Sequence, residues 1–202
     1  TWAQHNAVTV TPELQAVQDS FARLFPLERL PTLTLDEYVI GHGDQDNYCY
    51  WLEQRTRGLG SIAGGSASKF GVYWSAKNND YRFNAMFSSP EDALKRILGG
   101  IVTAGKALEA GDITGTDRAT ASAMGDNKYT MRLKALSLYF PERLLPIFNP
   151  EHLKHFLRML GQEPTGDQAA LNIHLLETLR ALPESGSYDT QGLMRFLYSE
   201  FP

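Results

Sequence analysis

The chain has 202 residues, of which 43% are hydrophobic and 21% charged, with a formal net charge of -4 and a pI near 5.7. This composition excludes wholesale disorder, and the length suits one domain or one domain with a small appended subdomain. No apolar run approaches the ~20 residues that cross a bilayer and no signal peptide is recognisable, so we expect no membrane partner. Cys49 is the single cysteine, which excludes an internal disulfide and fits a reducing, cytoplasmic location.

The first quarter of the chain predicts two helices with clear start signals. Residues 12–25 carry apolar side chains at helical spacing, and Thr11 stands where an N-cap is expected. Residues 48–57 repeat the helical spacing after Asp46 or Asn47, either of which can cap the helix.

The next stretch predicts the sheet. Residues 60–69 are rich in glycine and serine and indicate a loop, after which FGVYW and YRFNAMF flank the turn signal NND. Two short apolar runs around such a turn are typical of a β-hairpin, so we expect one small antiparallel sheet around residues 60–87.

The remaining chain predicts helices again. Ser89 followed by Pro90 and two acids marks the start of a helix that runs to about Gly111, while residues 116–123 form a short helix at most. Further helices are expected at 128–140, 151–160, 168–182 and 189–200. The predicted fold class is therefore α+β, predominantly helical, with one small antiparallel hairpin.

The segment LLPIF joins two of these helices. Its length and Pro146 argue against a helix, so it predicts an extended connector. Leu145, Ile147 and Phe148 are apolar, and we expect them to be largely buried.

Charge is unevenly spread along the chain. Residues 1–54 carry 2 basic and 8 acidic side chains, residues 55–143 carry 13 and 8, and residues 144–202 carry 4 and 7. The middle is therefore net basic between two net acidic ends. Such a distribution predicts either one electropositive face or an ordinary mixed, solvated surface.

No pattern of catalytic residues is present. The Gly/Ser loop lacks the GK[ST] ending of a nucleotide P-loop, and a strand follows it instead of a helix. His152 and His155 could share a metal ion, but no third ligand stands at a matching spacing. Cys49 sits on an apolar helix, as a buried structural thiol does. We therefore expect no catalytic residue, no metal site and no cofactor for this domain.

A binding surface is the remaining possibility, because basic and aromatic residues interleave in the middle of the chain. Basic side chains can hold phosphates, flat aromatics can stack on bases, and small residues let a ligand approach the backbone. The candidate DNA-binding residues are Arg55, Arg57, Lys69, Tyr73, Trp74, Lys77, Arg82 and Lys128, with Gly64, Gly65, Ser66 and Ser68 as loop backbone.

Within this set, the loop and the strand after it form the expected ligand-facing edge. Lys69 and Arg57 would hold phosphates, and either Tyr73 or Trp74 would face a base, because strand alternation places them on opposite faces. The alternative is that the hairpin aromatics fill the core and the arginines are merely solvated.

Three stretches of the chain resemble a known family. They are DNYCYWLEQRTRGLGSIAGGSASKFGVYW at 46–74, LYFPERLLPIFNPEHLKHFLRMLG at 138–161 and LNIHLLETLRALPESGSYDTQGLMRFLYSEF at 171–201. Together they resemble the region upstream of the AAA+ motor in McrB-like proteins of modification-dependent (type IV) restriction systems. In that family the N-terminal part selects DNA, often by modified bases, a GTP- or ATP-driven ring translocates, and a partner nuclease cuts.

The resemblance implies a non-catalytic DNA-recognition module of an antiphage protein. Its partners would be duplex DNA, in modified or plain form, the parent AAA+ motor and a McrC-like nuclease. The alternative is a protein-interaction or regulatory domain that docks on the ring, the nuclease or a phage component. The chain begins at Thr1 and ends in FLYSEFP, from which we expect a single N-terminal targeting domain over 1–202, or one with a helical subdomain over 128–202, without its motor domain.

Overall fold

The computed structural model describes residues 9–125 and 129–202, a predominantly helical fold with one two-stranded antiparallel sheet. The helices are α1 (Pro12–Leu24), α2 (Leu35–Tyr38), α3 (Tyr48–Tyr50, continued by a π-helical turn at Trp51–Arg55), α4 (Pro90–Glu109), α5 (Ile113–Met124), α6 (Tyr129–Tyr139), α7 (Pro150–Met159), α8 (Gln168–Arg180) and α9 (Thr190–Glu200). The strands are β1 (Val72–Ser75) and β2 (Asp80–Phe83). The predicted fold class is confirmed. Among the described helices, none is both long and apolar enough to span a membrane.

Most helices begin where their capping residues predict. The hydroxyl of Thr11 accepts from the backbone N–H of Leu14, and the hydroxyl of Ser89 accepts from that of Asp92. Asn47, rather than Asp46, caps α3 by accepting from Tyr50 at 2.8 Å. These contacts are local, so a single sequence is enough to find them.

Helix α5 is longer than the sequence predicted. It begins after Asp112, whose carboxylate accepts from the backbone N–H of Gly115 at 2.8 Å, and ends at Met124, with Gly125 as its C-cap. It packs closely on α4. The approach is so close that a Cβ built at Gly100 would lie 2.1 Å from the Cβ of Ala123. Gly100 lowers the helix propensity of α4 but permits this approach. The contact between the two helices supports α5 beyond its own weak pattern.

Buried apolar side chains form two clusters. The first contains side chains from α1, α4 and α6 and from the hairpin region, and the second contains side chains from α7, α8 and α9. Leu133 and Leu136 of α6 belong to the first cluster. The connector 144–148 stands between the two, since Leu144 and Phe148 belong to the first cluster and Leu145 and Ile147 to the second.

The connector is extended and buried, as predicted. Leu145, Ile147 and Phe148 are each less than 5% exposed. The side-chain amide of Asn172 accepts from the N–H of Leu145 at 2.8 Å and donates to the carbonyls of Leu145 and Ile147. Gln168 donates to the carbonyl of Phe148 at 2.6 Å. Two buried amides thus replace the hydrogen bonds that a helix or sheet would supply.

A buried polar network joins α5, α6 and α8. The guanidinium of Arg132 donates to the carboxylate of Asp167 at 2.7 Å and to the carbonyl of Asp117 at 3.2 Å. The carboxylate of Asp117 accepts from the N–H groups of Ala169 and Ala170, in the first turn of α8. Burial raises the pKa of Asp117, against the lowering effect of these N–H groups and of Arg132.

Candidate nucleic-acid interface

The hairpin has two distinct faces, which its register defines. Trp74 pairs with Tyr81, and Tyr73 pairs with Arg82. Since paired residues share a face and neighbours alternate, Trp74 and Tyr81 lie on one side of the sheet and Tyr73 and Arg82 on the other.

Trp74 lies on the side that packs against the first hydrophobic cluster. The ring of His42 stacks on it with 4.2 Å between centroids, and Tyr81 meets it edge-on at 5.1 Å. The hydroxyl of Tyr81 donates to Asp36, and partial burial together with this carboxylate raises the pKa of Tyr81 to about 12. Trp74 is therefore engaged within the protein, and we exclude it from the base-facing role that the sequence left open.

Tyr73 and Arg82 form the outward face. Tyr73 is half-buried, Arg82 is exposed, and Lys77 is exposed in the turn between the strands. Neither Arg82 nor Lys77 has an ion pair or a side-chain hydrogen bond among the described residues. Asp80 is an exposed acid on the same face, opposite Ser75. Of the two candidate aromatics, Tyr73 is thus the one placed beside a free cation.

Lys69 does not project from the Gly/Ser loop as predicted. Its ammonium pairs with the carboxylate of Glu53 and donates to the carbonyls of Ile62 at 2.8 Å and Gly64 at 2.9 Å. These three acceptors use all three N–H groups, and both charged side chains are only 12% exposed. Lys69 therefore holds the loop, and the phosphate contact assigned to it is corrected.

The loop itself is open at its tip and anchored at its end. Gly64 and Gly65 have positive φ angles of 97° and 73°, and a Cβ at either would meet nothing within 4 Å. The hydroxyl of Ser66 accepts from the N–H of Ser68, and the carbonyl of Ser68 accepts from Asn84 at 3.1 Å. Gly64, Gly65 and Ser66 are therefore exposed at the tip, although Lys69 donates to the carbonyls of Gly64 and Ser66, while Ser68 is tied to the end of β2.

Replacing Lys69 with methionine should lower the free energy of unfolding by about 2 kcal/mol, because Glu53 would lose its buried charged partner. Amide hydrogen exchange should accelerate at residues 62–65, which the ammonium now fixes. Lys77→Met, at an exposed lysine without such partners, is the matched control and should change neither quantity. Unchanged exchange in the loop of Lys69→Met would contradict this role.

Arg55 and Arg57 belong to a different element from the hairpin. The π-helical turn closes with the N–H of Thr56 donating to the carbonyl of Trp51 at 3.0 Å. Arg55 lies over the ring of Tyr50 at 5.7 Å, and Arg57, exposed, borders a groove that includes Phe148. Lys128, the last candidate, lies outside the described residues.

A buried lysine supports the turn that carries Arg57. Lys134 of α6 is fully buried, and its ammonium donates to the carbonyls of Thr56 at 2.9 Å, Leu59 at 3.2 Å and Gly60 at 2.7 Å. Burial lowers its pKa to about 7. Among the described residues no carboxylate pairs with it, so the three carbonyls and the nearby ring of Phe148, 5.7 Å from the ammonium, stabilise the protonated form.

Three residues without a recognisable signal in the sequence, Glu53, Asp36 and His42, decide the roles of Lys69 and Trp74. Glu53 and Lys69 are 16 residues apart, and Asp36 and Tyr81 are 45 apart. No local spacing rule connects such positions, because the folded chain alone brings them together.

No protein-family model, curated protein or solved structure matches the chain. In the described part of the chain, no three His, Cys, Asp or Glu side chains come together as a set of metal ligands. The assignment of a nucleic-acid interface therefore depends only on the geometry of the hairpin and the loop.

Proposed function

We propose that the chain is a non-catalytic DNA-recognition module that reads duplex DNA through the outward face of its hairpin, in the manner expected of a McrB-like restriction protein. The observation that carries this proposal is the pairing of Tyr73 with Arg82 across the two strands, beside Lys77 at the turn. Arg82 and Lys77 would contact phosphates, and Tyr73 would stack on or border a base.

Several features support a nucleic-acid ligand at this face. The two cations are exposed and have no acidic partner among the described residues, so neither must break an ion pair to bind a phosphate. The loop that precedes β1 has open space around Gly64 and Gly65, although the Gly64 carbonyl is already bound by Lys69. Against these stands Asp80, a single carboxylate that would repel a phosphate.

Duplex binding provides the test. The intact chain should bind at about 50 mM salt, with affinity that falls steeply as salt rises. Arg82→Ala should weaken binding to all sequences alike and lower the salt slope by about 1, whereas Tyr73→Ala should abolish any selectivity between modified and plain duplexes. Asp80→Asn should strengthen binding, since it removes a repulsive charge.

Lys106→Ala is the matched control for Arg82→Ala. Lys106 is exposed near the far end of α4. It lies about 24 Å along the helix axis from Pro90, where the helix begins after the hairpin. The Lys106→Ala variant should leave the affinity for duplex DNA and its salt slope unchanged. The proposal would be contradicted if the intact chain bound no duplex at ~50 mM salt, with or without modified cytosine.

The second candidate function is docking on a protein, either the AAA+ ring, the nuclease or a phage component. It is favoured by Phe83 and Met86, which are each 39% exposed at the end of the same hairpin. If Phe83→Ser removes binding to a partner protein while duplex binding is absent throughout, the docking function holds instead.

A further inference from the structure

A groove of about 440 Å³ lies away from the hairpin face, along the boundary between the two hydrophobic clusters. Arg57 and Ser61 line one part of it, Phe148 and His152 another, and Tyr198 of α9 a third. Its volume falls in the range that small-molecule sites occupy in proteins.

The charges around the groove favour an anion. Arg57 is exposed and has no ion pair or side-chain hydrogen bond in the described part of the chain. No described residue that lines the groove is a carboxylate, although the chain as a whole is acidic. Glu151, the nearest acid along α7, is held by Lys154 at 2.8 Å.

A buried lysine lies next to the groove. The ammonium of Lys134 is 2.7 Å from the carbonyl of Gly60 and 5.7 Å from the ring centroid of Phe148, and both residues line the groove. With a pKa lowered to about 7, this amine is only partly protonated at neutral pH, and an anion in the groove would favour its charged form. Arg57 therefore supplies the standing positive charge at the rim, and Lys134 adds a second one when it is protonated.

The groove also offers a flat surface for an aromatic ring. Tyr198 is 43% exposed, yet its hydroxyl is 2.8 Å from Nδ1 of His152 and its ring meets Phe156 edge-on at 5.0 Å. A ring held at two points and left partly open is preorganised for stacking. The NH₂ group of Asn149, whose amide oxygen accepts from the N–H of Glu151 at 3.0 Å, and the hydroxyl of Thr130 add groups that can pair with the polar edge of a base.

We propose that this groove binds a mononucleotide unit, with its phosphate at Arg57 and its base on Tyr198. The unit could be a free nucleoside monophosphate or the phosphorylated end of a strand, since both present the same chemistry. The site is separate from the hairpin face, so it stands whether or not that face binds duplex DNA.

Calorimetric titration of the intact chain with the four nucleoside 5′-monophosphates tests the proposal. At least one should bind with a dissociation constant below about 1 mM, and its nucleoside and inorganic phosphate should each bind at least about tenfold more weakly. A 5′-phosphorylated dinucleotide serves as the second arm. Tighter binding of the dinucleotide would assign the groove to a strand end, and tighter binding of the monophosphate would assign it to a free nucleotide.

Variants locate the binding. Arg57→Ala and Tyr198→Ala should each weaken it about tenfold, while Tyr198→Phe, which keeps the ring but loses the contact with His152, should weaken it less than Tyr198→Ala does. Arg55→Ala is the matched control two residues from Arg57 and should have no effect. Arg82→Ala should change duplex binding alone, which separates this site from the hairpin face.

Three outcomes would overturn the proposal. They are no binding of any monophosphate at a few millimolar, binding by Arg57→Ala equal to that of the unaltered chain, and inorganic phosphate binding as tightly as the nucleotides. Arg57 is exposed, so its replacement tests the site without disturbing the core.

Discussion

Replacing Phe148 with alanine should lower the free energy of unfolding by about 3–5 kcal/mol. The side chain is only 4% exposed and lies where the connector passes the first hydrophobic cluster. A Cβ built at Gly60 would lie 2.8 Å from the Phe148 ring, which shows how closely the backbone approaches it. The cavity cannot close readily, because Gln168 fixes the Phe148 carbonyl and Asn172 fixes the preceding residues. Urea unfolding of the two chains gives the difference directly.

Phe83→Ala is the matched control, since Phe83 is the same residue type but 39% exposed. It should cost less than about 1 kcal/mol. If Phe148→Ala also lowered the free energy of unfolding by less than ~1 kcal/mol, the connector would have to repack around the cavity. That result would contradict a connector held rigidly by Gln168 and Asn172.

Lys134→Met should lower the free energy of unfolding by about 2–4 kcal/mol at neutral pH. The carbonyl of Thr56 would keep a second donor, the N–H of Leu59, but those of Leu59 and Gly60 would lose the ammonium. Methionine fills a similar volume, so the lost hydrogen bonds dominate over any cavity. Lys106→Met, on the surface of α4, should have little effect.

The difference in unfolding free energy between the unaltered chain and Lys134→Met should depend on pH in a definite direction. The pKa of Lys134 is about 7 in the folded chain, below its ordinary value of 10.5. Between these values the unfolded chain binds the proton that the folded chain has released, so this lysine makes stability rise with pH. The unaltered chain should therefore gain stability relative to Lys134→Met from about pH 7 to pH 10. A flat or falling difference over that range would refute the assignment.

Sequence reasoning was sufficient wherever the physical cause is local. The caps Thr11 and Ser89, the turn between the strands and the buried connector all follow from neighbours within a few residues. Helix α5 was predicted too short because its stability depends on close contact with α4 at Gly100, which no local pattern reveals.

The candidate site was harder to predict, because long-range partners decide what each side chain does. Lys69 has the sequence context of a cation in an exposed loop. Its ammonium nevertheless pairs with Glu53 and donates to two backbone carbonyls. Alternation correctly separated Tyr73 from Trp74, but only the packing of His42 shows which of them faces inward. The groove brings Arg57 and Tyr198 to one site from opposite halves of the chain, beyond the reach of any motif.

The contact of Asp117 with the start of α8 has a consequence for the order of folding. The carboxylate that receives the N–H of Ala169 comes from 52 residues earlier in the chain, and Ala169 packs in the first cluster whereas the leucines of α8 pack in the second. A helix start that depends on so distant a group is incomplete until α5 is already in place. The C-terminal three-helix unit therefore lacks full autonomy, and its assembly is coupled to that of the segment that precedes it.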